Sequence, residues 1–212
     1  MDAIRGNLDH YDLNARELSD FYEDDTARVL PYFARAVQKF SQAEKYALDI
    51  GCGSGRDAAW LAERGWSVVA SDGSAGMLDE ARSRHPQANV QWSHDIAPGL
   101  PGLTGQRGRF HVVLMAAFIF HLDKKSRRSL YEVVAPLLAP DALVYFAVRH
   151  GPPLEGRTVY EVDFDELRAW GAENNMEAIS HGFKKDQRDP DTVKWEHVTL
   201  WRGAGWQKAA AL

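Results

Sequence analysis

The stretch Tyr46–Asp72, YALDIGCGSGRDAAWLAERGWSVVASD, decides the fold. It opens with a short apolar run, Tyr46–Ile50, which leads into a cluster of glycines. Apolar residues then recur at helical spacing until Gly65, and a second apolar run ends at Asp72. This order predicts a strand, a glycine-rich turn, a helix and a second strand, which together form one βαβ unit.

The glycine cluster and the acid that closes the unit predict a nucleoside-binding site. Gly51, Gly53 and Gly55 permit positive φ angles and let a ligand approach the backbone. The free N–H groups at the start of the following helix attract polar or anionic ligand groups. An ionised Asp72 accepts hydrogen bonds from a ribose diol. The glycine spacing is shorter than the dinucleotide fingerprint, so it favours a nucleoside with a short amino-acid tail over a pyrophosphate.

The segment Leu48–Asp57, LDIGCGSGRD, followed by Asp72, resembles the class I S-adenosylmethionine-dependent methyltransferases. The resemblance implies an α/β fold: a Rossmann-like, doubly wound, seven-stranded sheet that is mostly parallel, with an antiparallel C-terminal strand. It also implies S-adenosyl-L-methionine as cofactor and methyl transfer to an oxygen, nitrogen or sulfur atom of a small molecule. On the glycine motif alone, another Rossmann-like nucleotide domain remains the alternative.

Length and composition fit one methyltransferase domain over residues 1–212, with an N-terminal helical cap at 1–42, a core at 43–203 and a tail at 204–212. The net charge of −5 does not favour a sequence-independent nucleic-acid binder. Cys52 is the only cysteine, which excludes an intrachain disulfide. The absence of an export signal or a long apolar segment predicts a cytoplasmic protein without a membrane partner. The sequence sets no oligomeric state.

The rest of the chain predicts the remaining elements of this fold. Two helices are expected before the sheet, and Ser74 is expected to cap a helix that runs to about Arg84. A later helical stripe, Leu130, Val133, Val134, Leu137 and Leu138, contains Pro136, which predicts a kink or an early end. A helix is also predicted at Asp163–Asn174, and strands at Asn89–Trp92, Phe110–Ala117, Ala142–Val148, Ala178–Phe183 and Val193–Trp201, with a loop at Pro98–Gly108.

The resemblance implies a set of cofactor contacts. Tyr11 is expected to cover the methionine end, or else to pack the first helix against the sheet. Arg56 is a candidate for the methionine carboxylate, Asp95 for the adenine amine or a loop cap, and Ile96 for packing on the base. The full set is Tyr11, Gly51, Cys52, Gly53, Gly55, Arg56, Asp72, Gly73, Met77, Asp95, Ile96 and Met115.

Three polar residues at the ends of the fourth and fifth strands are candidates for the catalytic end. His121 and His150 suit a general base because the unperturbed histidine pKa lies near neutrality. Open parallel sheets bind ligands outside these strand ends, so both histidines are expected to face one acceptor pocket. Arg149 either binds an acidic substrate group or makes a structural pair. His121 and His150 alternatively line or close the pocket without proton transfer, and Tyr160 and Trp195 are candidate pocket walls or core residues.

Other chemistry finds less support in the sequence. Histidine and cysteine spacings indicate no metal site. The residues Ala116–Ile119 stand where many amino-methylating nucleic-acid enzymes have an Asn-Pro-Pro-aromatic segment, which argues against DNA as acceptor. An RNA or protein methyltransferase remains an alternative. So does a cofactor-binding protein that is non-catalytic or performs non-methylating chemistry.

Overall fold

The computed structural model describes residues 2–24, 31–40, 45–86 and 89–203. Three helices precede the sheet in these ranges: α1 (Asp2–Leu13), α2 (Ala15–Glu23) and α3 (Pro31–Lys39). The prediction of two helices was wrong because α1 is a separate helix, divided from α2 at Asn14. The predicted tail at 204–212 and the last residues of the predicted cap lie outside the described residues.

Within the described residues, seven strands form one sheet and confirm the predicted fold class. Their order is β3-β2-β1-β4-β5-β7-β6, and β7 runs antiparallel to both of its neighbours, whereas the pairs among the first five strands are parallel. The strands are β1 (Tyr46–Ile50), β2 (Ser67–Asp72), β3 (Val90–His94), β4 (Phe110–Ala116), β5 (Leu138–His150), β6 (Glu177–Lys185) and β7 (Lys194–Arg202).

Four further helices cover the two faces of the sheet: α4 (Arg56–Ala62), α5 (Ala75–Arg84), α6 (Lys124–Val134) and α7 (Phe164–Glu173). Ser74 caps α5 as predicted, since its hydroxyl accepts a hydrogen bond of 3.1 Å from the Met77 N–H. Helix α6 ends at Val134, before Pro136, which confirms the early end. Short 3₁₀ turns occupy Pro101–Leu103, Ile119–His121 and Ala135–Leu137.

Strand β5 begins earlier than its apolar run suggests. Leu138 pairs with Phe110 and Leu143 pairs with Val112, so a bulge on β5 holds the intervening residues. Pro140 falls in this bulge, where its missing N–H costs no ladder hydrogen bond. A prediction based on apolar runs missed this first part of the strand because Pro140 and Asp141 interrupt the run.

The core consists of two hydrophobic layers, one on each face of the sheet. One layer contains Phe146 and Trp170 and is covered by α6 and α7. The other contains Phe33 and Trp66 and is covered by α3, α4 and α5. Both layers draw on β4, as expected for a central strand that is buried on both faces. No described helix is long and apolar enough to cross a membrane.

Candidate active site

A cavity of about 490 Å³ opens at the carboxyl ends of β1, β2 and β4 and continues under the N-terminal helices. Such a position is where open α/β sheets bind ligands. Most of the predicted site residues line it: Tyr11, Gly51, Cys52, Gly53, Arg56, Asp72, Gly73, Met77, Asp95, Ile96 and His121. The described residues that line it do not include Gly55, Met115, Arg149 or His150.

The glycine loop needs glycine for two different reasons. Gly51 has φ +72°, and a Cβ there would lie 2.7 Å from the Phe118 ring. Gly53 has φ +55°, and a Cβ there would meet only ordinary contacts at 3.7 Å, from Met77 and Tyr22. Packing therefore requires glycine at Gly51, while the left-handed backbone at Gly53 disfavours any side chain.

Gly55 and Met115 have structural positions. Gly55 stands before α4 in a left-handed conformation, and its Cβ would lie 2.6 Å from the Trp92 ring. Met115 is fully buried in the layer beneath α6 and α7. Neighbouring residues of a strand face opposite sides, so Leu114 and Ala116 reach the cavity and Met115 does not.

Asp72 closes the glycine loop by accepting two backbone hydrogen bonds. Its Oδ2 accepts from the Gly53 N–H at 2.9 Å and its Oδ1 from the Ser74 N–H at 2.8 Å. Burial raises the pKa of the Asp72 carboxyl, and these backbone donors oppose the shift. An ionised carboxylate has about four acceptor sites, so both oxygens can still accept a hydrogen bond from a ribose hydroxyl.

Asp95 and Ile96 form the far wall of the cavity. Asp95 is 5% exposed and accepts from the Gly102 N–H at 2.8 Å and from the Ser93 hydroxyl at 2.5 Å. Ile96 is 47% exposed although it is a large apolar residue. Asp95 therefore caps its own loop and also lines the cavity, beside an open apolar surface that fits a flat base.

Asp49 is a cavity residue to which the sequence analysis assigned no function. It is 2% exposed, and its Oδ2 has no hydrogen-bond partner among the described residues. Burial raises the pKa of its carboxyl, and the charges of Asp57 and Asp72 add to that shift. A buried acceptor without a partner, beside two further acids, fits a cationic ligand such as the ammonium and sulfonium groups of S-adenosylmethionine.

Arg56 and Cys52 complete the loop. The Arg56 guanidinium donates from Nε to Asp57 at 2.9 Å and from Nη1 to the Tyr22 carbonyl at 3.0 Å. The bond to Tyr22 ties the start of α4 to α2, and the bond to Asp57 holds the guanidinium in place at the cavity wall. Cys52 is buried, and burial raises the pKa of its thiol, which is the condition of an unreactive cysteine.

The candidate catalytic end contains a hydrogen-bonded pair, Tyr11 and His121. The Tyr11 hydroxyl lies 2.9 Å from Nε2 of His121, whose side chain is 7% exposed. On its other side, Nδ1 of His121 lies 3.3 Å from the Thr158 carbonyl. Burial lowers the pKa of His121 to about 4, so the ring is neutral at pH 7. We therefore assign the proton to Nδ1, which donates to Thr158, while Nε2 accepts from the Tyr11 hydroxyl.

Asn7 holds α1 in place over this pair. Its side-chain amide donates to the Thr158 carbonyl at 2.9 Å, and its Oδ1 accepts from the Thr158 N–H at 2.7 Å. The amide nitrogen also lies 3.4 Å from Nδ1 of His121. Asn7 was missed because a single asparagine on a helix gives no sequence signal for a contact 151 positions away.

Arg149 and His150 are not brought into the cavity, although β4 and β5 are adjacent as expected. Arg149 donates to the Pro152 carbonyl at 2.7 Å, a structural contact. Nε2 of His150 lies 3.3 Å from Glu196, and the Phe183 ring packs edge-on against the imidazole. The structure thus does not place His150 with His121 in one acceptor pocket, because the His150 side chain packs against β6 and β7.

The cavity also has aromatic and histidine residues from distant segments. Trp195 lines it, in agreement with its candidate position, whereas Tyr160 does not. Tyr145 and His197 line it as well, and the Tyr145 hydroxyl lies 2.9 Å from Nδ1 of His197. Both were missed, since the apolar pattern identifies the strands but not the register that places Tyr145 beside His197. No group of three metal-ligating side chains occurs among the described residues.

Comparison with known proteins finds a methyltransferase domain and two relatives that match short segments of the chain. Residues 47–141 match a family model described as a methyltransferase domain. A segment of 54 residues is 52% identical to the biotin biosynthesis bifunctional protein BioHC of Cellvibrio japonicus, covering 26% of this chain and 11% of that protein. A segment of 81 residues is 35% identical to the 18S rRNA (guanine-N(7))-methyltransferase of Bos taurus, covering 38% of this chain and 28% of that protein. The chain thus matches a small part of the length of these relatives.

A solved structure shows the same fold over almost the whole chain. It is the 1,6-didemethyltoxoflavin-N1-methyltransferase of Burkholderia thailandensis, with a TM-score of 0.70 and 18% identity, covering 94% of this chain and 88% of that one. Residues 47–141 thus match a methyltransferase domain, and the fold over almost the whole chain is that of a solved methyltransferase which is described with bound S-adenosylhomocysteine.

Proposed function

We propose that the chain transfers the methyl group of S-adenosylmethionine to an oxygen, nitrogen or sulfur atom of a small molecule. The observation that carries this proposal is one continuous cavity that joins the glycine loop, Asp72 and Asp95 to the Tyr11–His121 pair. The Burkholderia thailandensis protein of the same fold is described with bound 1,6-didemethyltoxoflavin, a small molecule, which supports the acceptor class.

Three groups of residues are proposed to bind three parts of the cofactor. Asp72 would accept from the ribose hydroxyls, Asp95 and Ile96 would receive the adenine, and Asp49 would hold the ammonium of the methionine tail. When bound, S-adenosylmethionine supplies a methyl group that its sulfonium has already activated. The residues of this chain then have to align an acceptor with that methyl group and exclude water.

The Tyr11–His121 pair orders the end of the cavity at which transfer takes place. Nε2 of His121 is engaged by the Tyr11 hydroxyl, and the low pKa of His121 makes the ring a weak base at pH 7. We therefore favour the interpretation in which His121 closes the pocket: it holds Tyr11, and Tyr11 covers the methionine end. A direct proton transfer to His121 would require Tyr11 to leave Nε2.

Two variants separate these roles. If the pair closes the pocket, His121→Ala and Tyr11→Phe lower the affinity for S-adenosylhomocysteine and the single-turnover rate together. The loss of the hydrogen bond in Tyr11→Phe corresponds to about 0.5–1.5 kcal/mol in affinity. If His121 acts as a base, His121→Ala instead lowers turnover by roughly 10²–10⁴-fold with unchanged affinity.

The function itself is tested with methyl-labelled cofactor. The protein is incubated with phenols, amines, thiols and carboxylic acids in separate pools, and with total RNA and protein, and the label is followed into each fraction. Label in a small-molecule pool, lost with Gly53→Val, supports the proposal. Label in RNA or protein contradicts the small-molecule acceptor, and binding of the cofactor without transfer to any pool favours a non-catalytic protein.

A further inference from the structure

The cavity extends beyond the cofactor end, along the face of the sheet beneath α3. Its walls there are Phe33 of α3, Leu114 of β4, Ala147 of β5 and Trp195 of β7. The Phe33 ring packs 4.9 Å from the ring of Tyr145. We call this part the α3 chamber, defined by Phe33, Leu114, Tyr145, Ala147, Trp195 and His197. These six side chains are mostly aromatic and aliphatic, so they fit a flat apolar ring. The same cavity is also lined by the polar and charged segment Lys184–Arg188.

Tyr145 and His197 place one polar pair in these apolar surroundings. The Tyr145 hydroxyl lies 2.9 Å from Nδ1 of His197, and the two rings are nearly parallel, at 9°. Nε2 of His197 has no hydrogen-bond partner among the described residues. This atom is also not completely buried. It therefore remains accessible from the cavity that His197 lines.

The imidazole of His197 is neutral at pH 7. Burial lowers its pKa to about 4, and the nearby charges of Lys184 and His181 add to the shift. A neutral imidazole carries one N–H. When the Tyr145 hydroxyl donates to Nδ1, Nε2 presents an N–H donor to the cavity; in the other tautomer Nε2 is an acceptor. The position thus suits a polar ligand group that can form a hydrogen bond with a neutral imidazole.

We infer that the α3 chamber binds the methyl acceptor, and that the acceptor is a planar ring compound with an uncharged hydroxyl, carbonyl or N–H group on Nε2 of His197. This assignment rests on the proposed function and deepens it by naming the acceptor class. Tyr145 is a positioning residue, since its hydrogen bond with Nδ1 fixes the His197 ring. The chamber and the cofactor end are one cavity, so a ring held in the chamber would share it with the cofactor.

The test uses two probes of one shape, 2-naphthol and naphthalene, which differ by a hydroxyl. Equilibrium dialysis measures their binding to the full chain that is saturated with S-adenosylhomocysteine. The wild-type protein is expected to bind one 2-naphthol, and His197→Phe to weaken that binding on the order of tenfold, because one buried hydrogen bond is lost. Naphthalene is expected to bind both proteins equally.

Controls separate the chamber from general damage. His111→Phe makes the same change at the opposite end of the sheet, where β4 begins, and should leave 2-naphthol binding unchanged. S-adenosylhomocysteine affinity should be the same in His197→Phe as in the wild type, which shows that the variant is folded. Tyr145→Phe keeps the ring and should weaken 2-naphthol by a smaller factor than His197→Phe.

Several results would overturn the assignment. Equal loss of 2-naphthol and naphthalene in His197→Phe would mean that the histidine acts only through packing. Displacement of 2-naphthol by S-adenosylhomocysteine would put the probe in the cofactor end. If S-adenosylhomocysteine binds but neither probe does, the assignment of the chamber is wrong and the proposed function is unaffected. If S-adenosylhomocysteine does not bind, both the assignment and the proposed function are wrong.

Discussion

The two ends of the cavity are built in different ways. The cofactor end relies on backbone: the Gly53 N–H and the Ser74 N–H hold Asp72, and Gly102 holds Asp95. The acceptor end relies on pairs of side chains from distant segments. Tyr11 and His121 are 110 positions apart, and Tyr145 and His197 are 52 apart. A backbone-built site tolerates few changes of the main chain, whereas a side-chain pair can be replaced without loss of the fold.

The largest expected effect is at the backbone-built end. Gly53→Val introduces a β-branched residue at φ +55°, beside the ligand, and is expected to weaken S-adenosylhomocysteine binding by at least about 100-fold. Gly65→Val is the matched control, because Gly65 has φ +81° with nothing within 4 Å of its added Cβ. Calorimetry and thermal melting should show similar destabilisation in both variants and loss of binding only in the first. Loss of affinity in both would contradict a specific role for the loop.

The same contrast explains which site residues could be predicted from the sequence. Gly51, Asp72 and Asp95 follow strands in a local order, and their positions at one sheet edge follow from the parallel topology. Tyr145 and His197 come together only through the antiparallel register of β5 and β7, which apolar periodicity does not determine. Met115 was placed by the resemblance and His150 by its position at a strand end, and the alternation of side chains directed both of them elsewhere.

Acid should lower the folding stability of the chain through His121 and His197, the two histidines of the acceptor end. His197 and His121 have pKa values of about 4 in the folded chain and near 6.5 when unfolded, so the unfolded state binds protons first. Each therefore contributes stability that is complete above pH 6.5 and is lost as the pH falls towards 4, by about 3 kcal/mol for a shift of this size.

Denaturant unfolding from pH 7.5 to 4.5 checks this dependence. Wild-type stability should fall more steeply with acid than that of His197→Phe, which lacks one of the two groups. The opposing carboxyl shifts of Asp49 and Asp72 are common to both proteins, so they cancel in the difference. Parallel pH profiles would show that His197 titrates normally and is not buried neutral.

Asp72 gives a smaller effect on binding, to which the loop contributes because the single amide oxygen of Asn replaces the two oxygens that accept from the Gly53 and Ser74 N–H groups. Asp72→Asn keeps the shape of the side chain but removes the charge that the ribose hydroxyls bond, and should cost about 1.5–3 kcal/mol of cofactor affinity. Asp79→Asn, at an exposed ion pair with Arg82 on α5, is the control and should change affinity little. Equal calorimetric affinities for wild type and Asp72→Asn would show that the ribose does not bind Asp72.

The most direct test of the account is a crystal structure of the chain with S-adenosylhomocysteine. We predict both ribose hydroxyls within about 3.2 Å of the Asp72 carboxylate, the adenine against Ile96 near Asp95, and the homocysteine end beneath Tyr11 with its ammonium facing Asp49. The α3 chamber should remain open beside the sulfur atom. A ligand seated away from Asp72, or one whose homocysteine tail fills the space beside Tyr145 and His197, would contradict the division of the cavity into a cofactor end and an acceptor end.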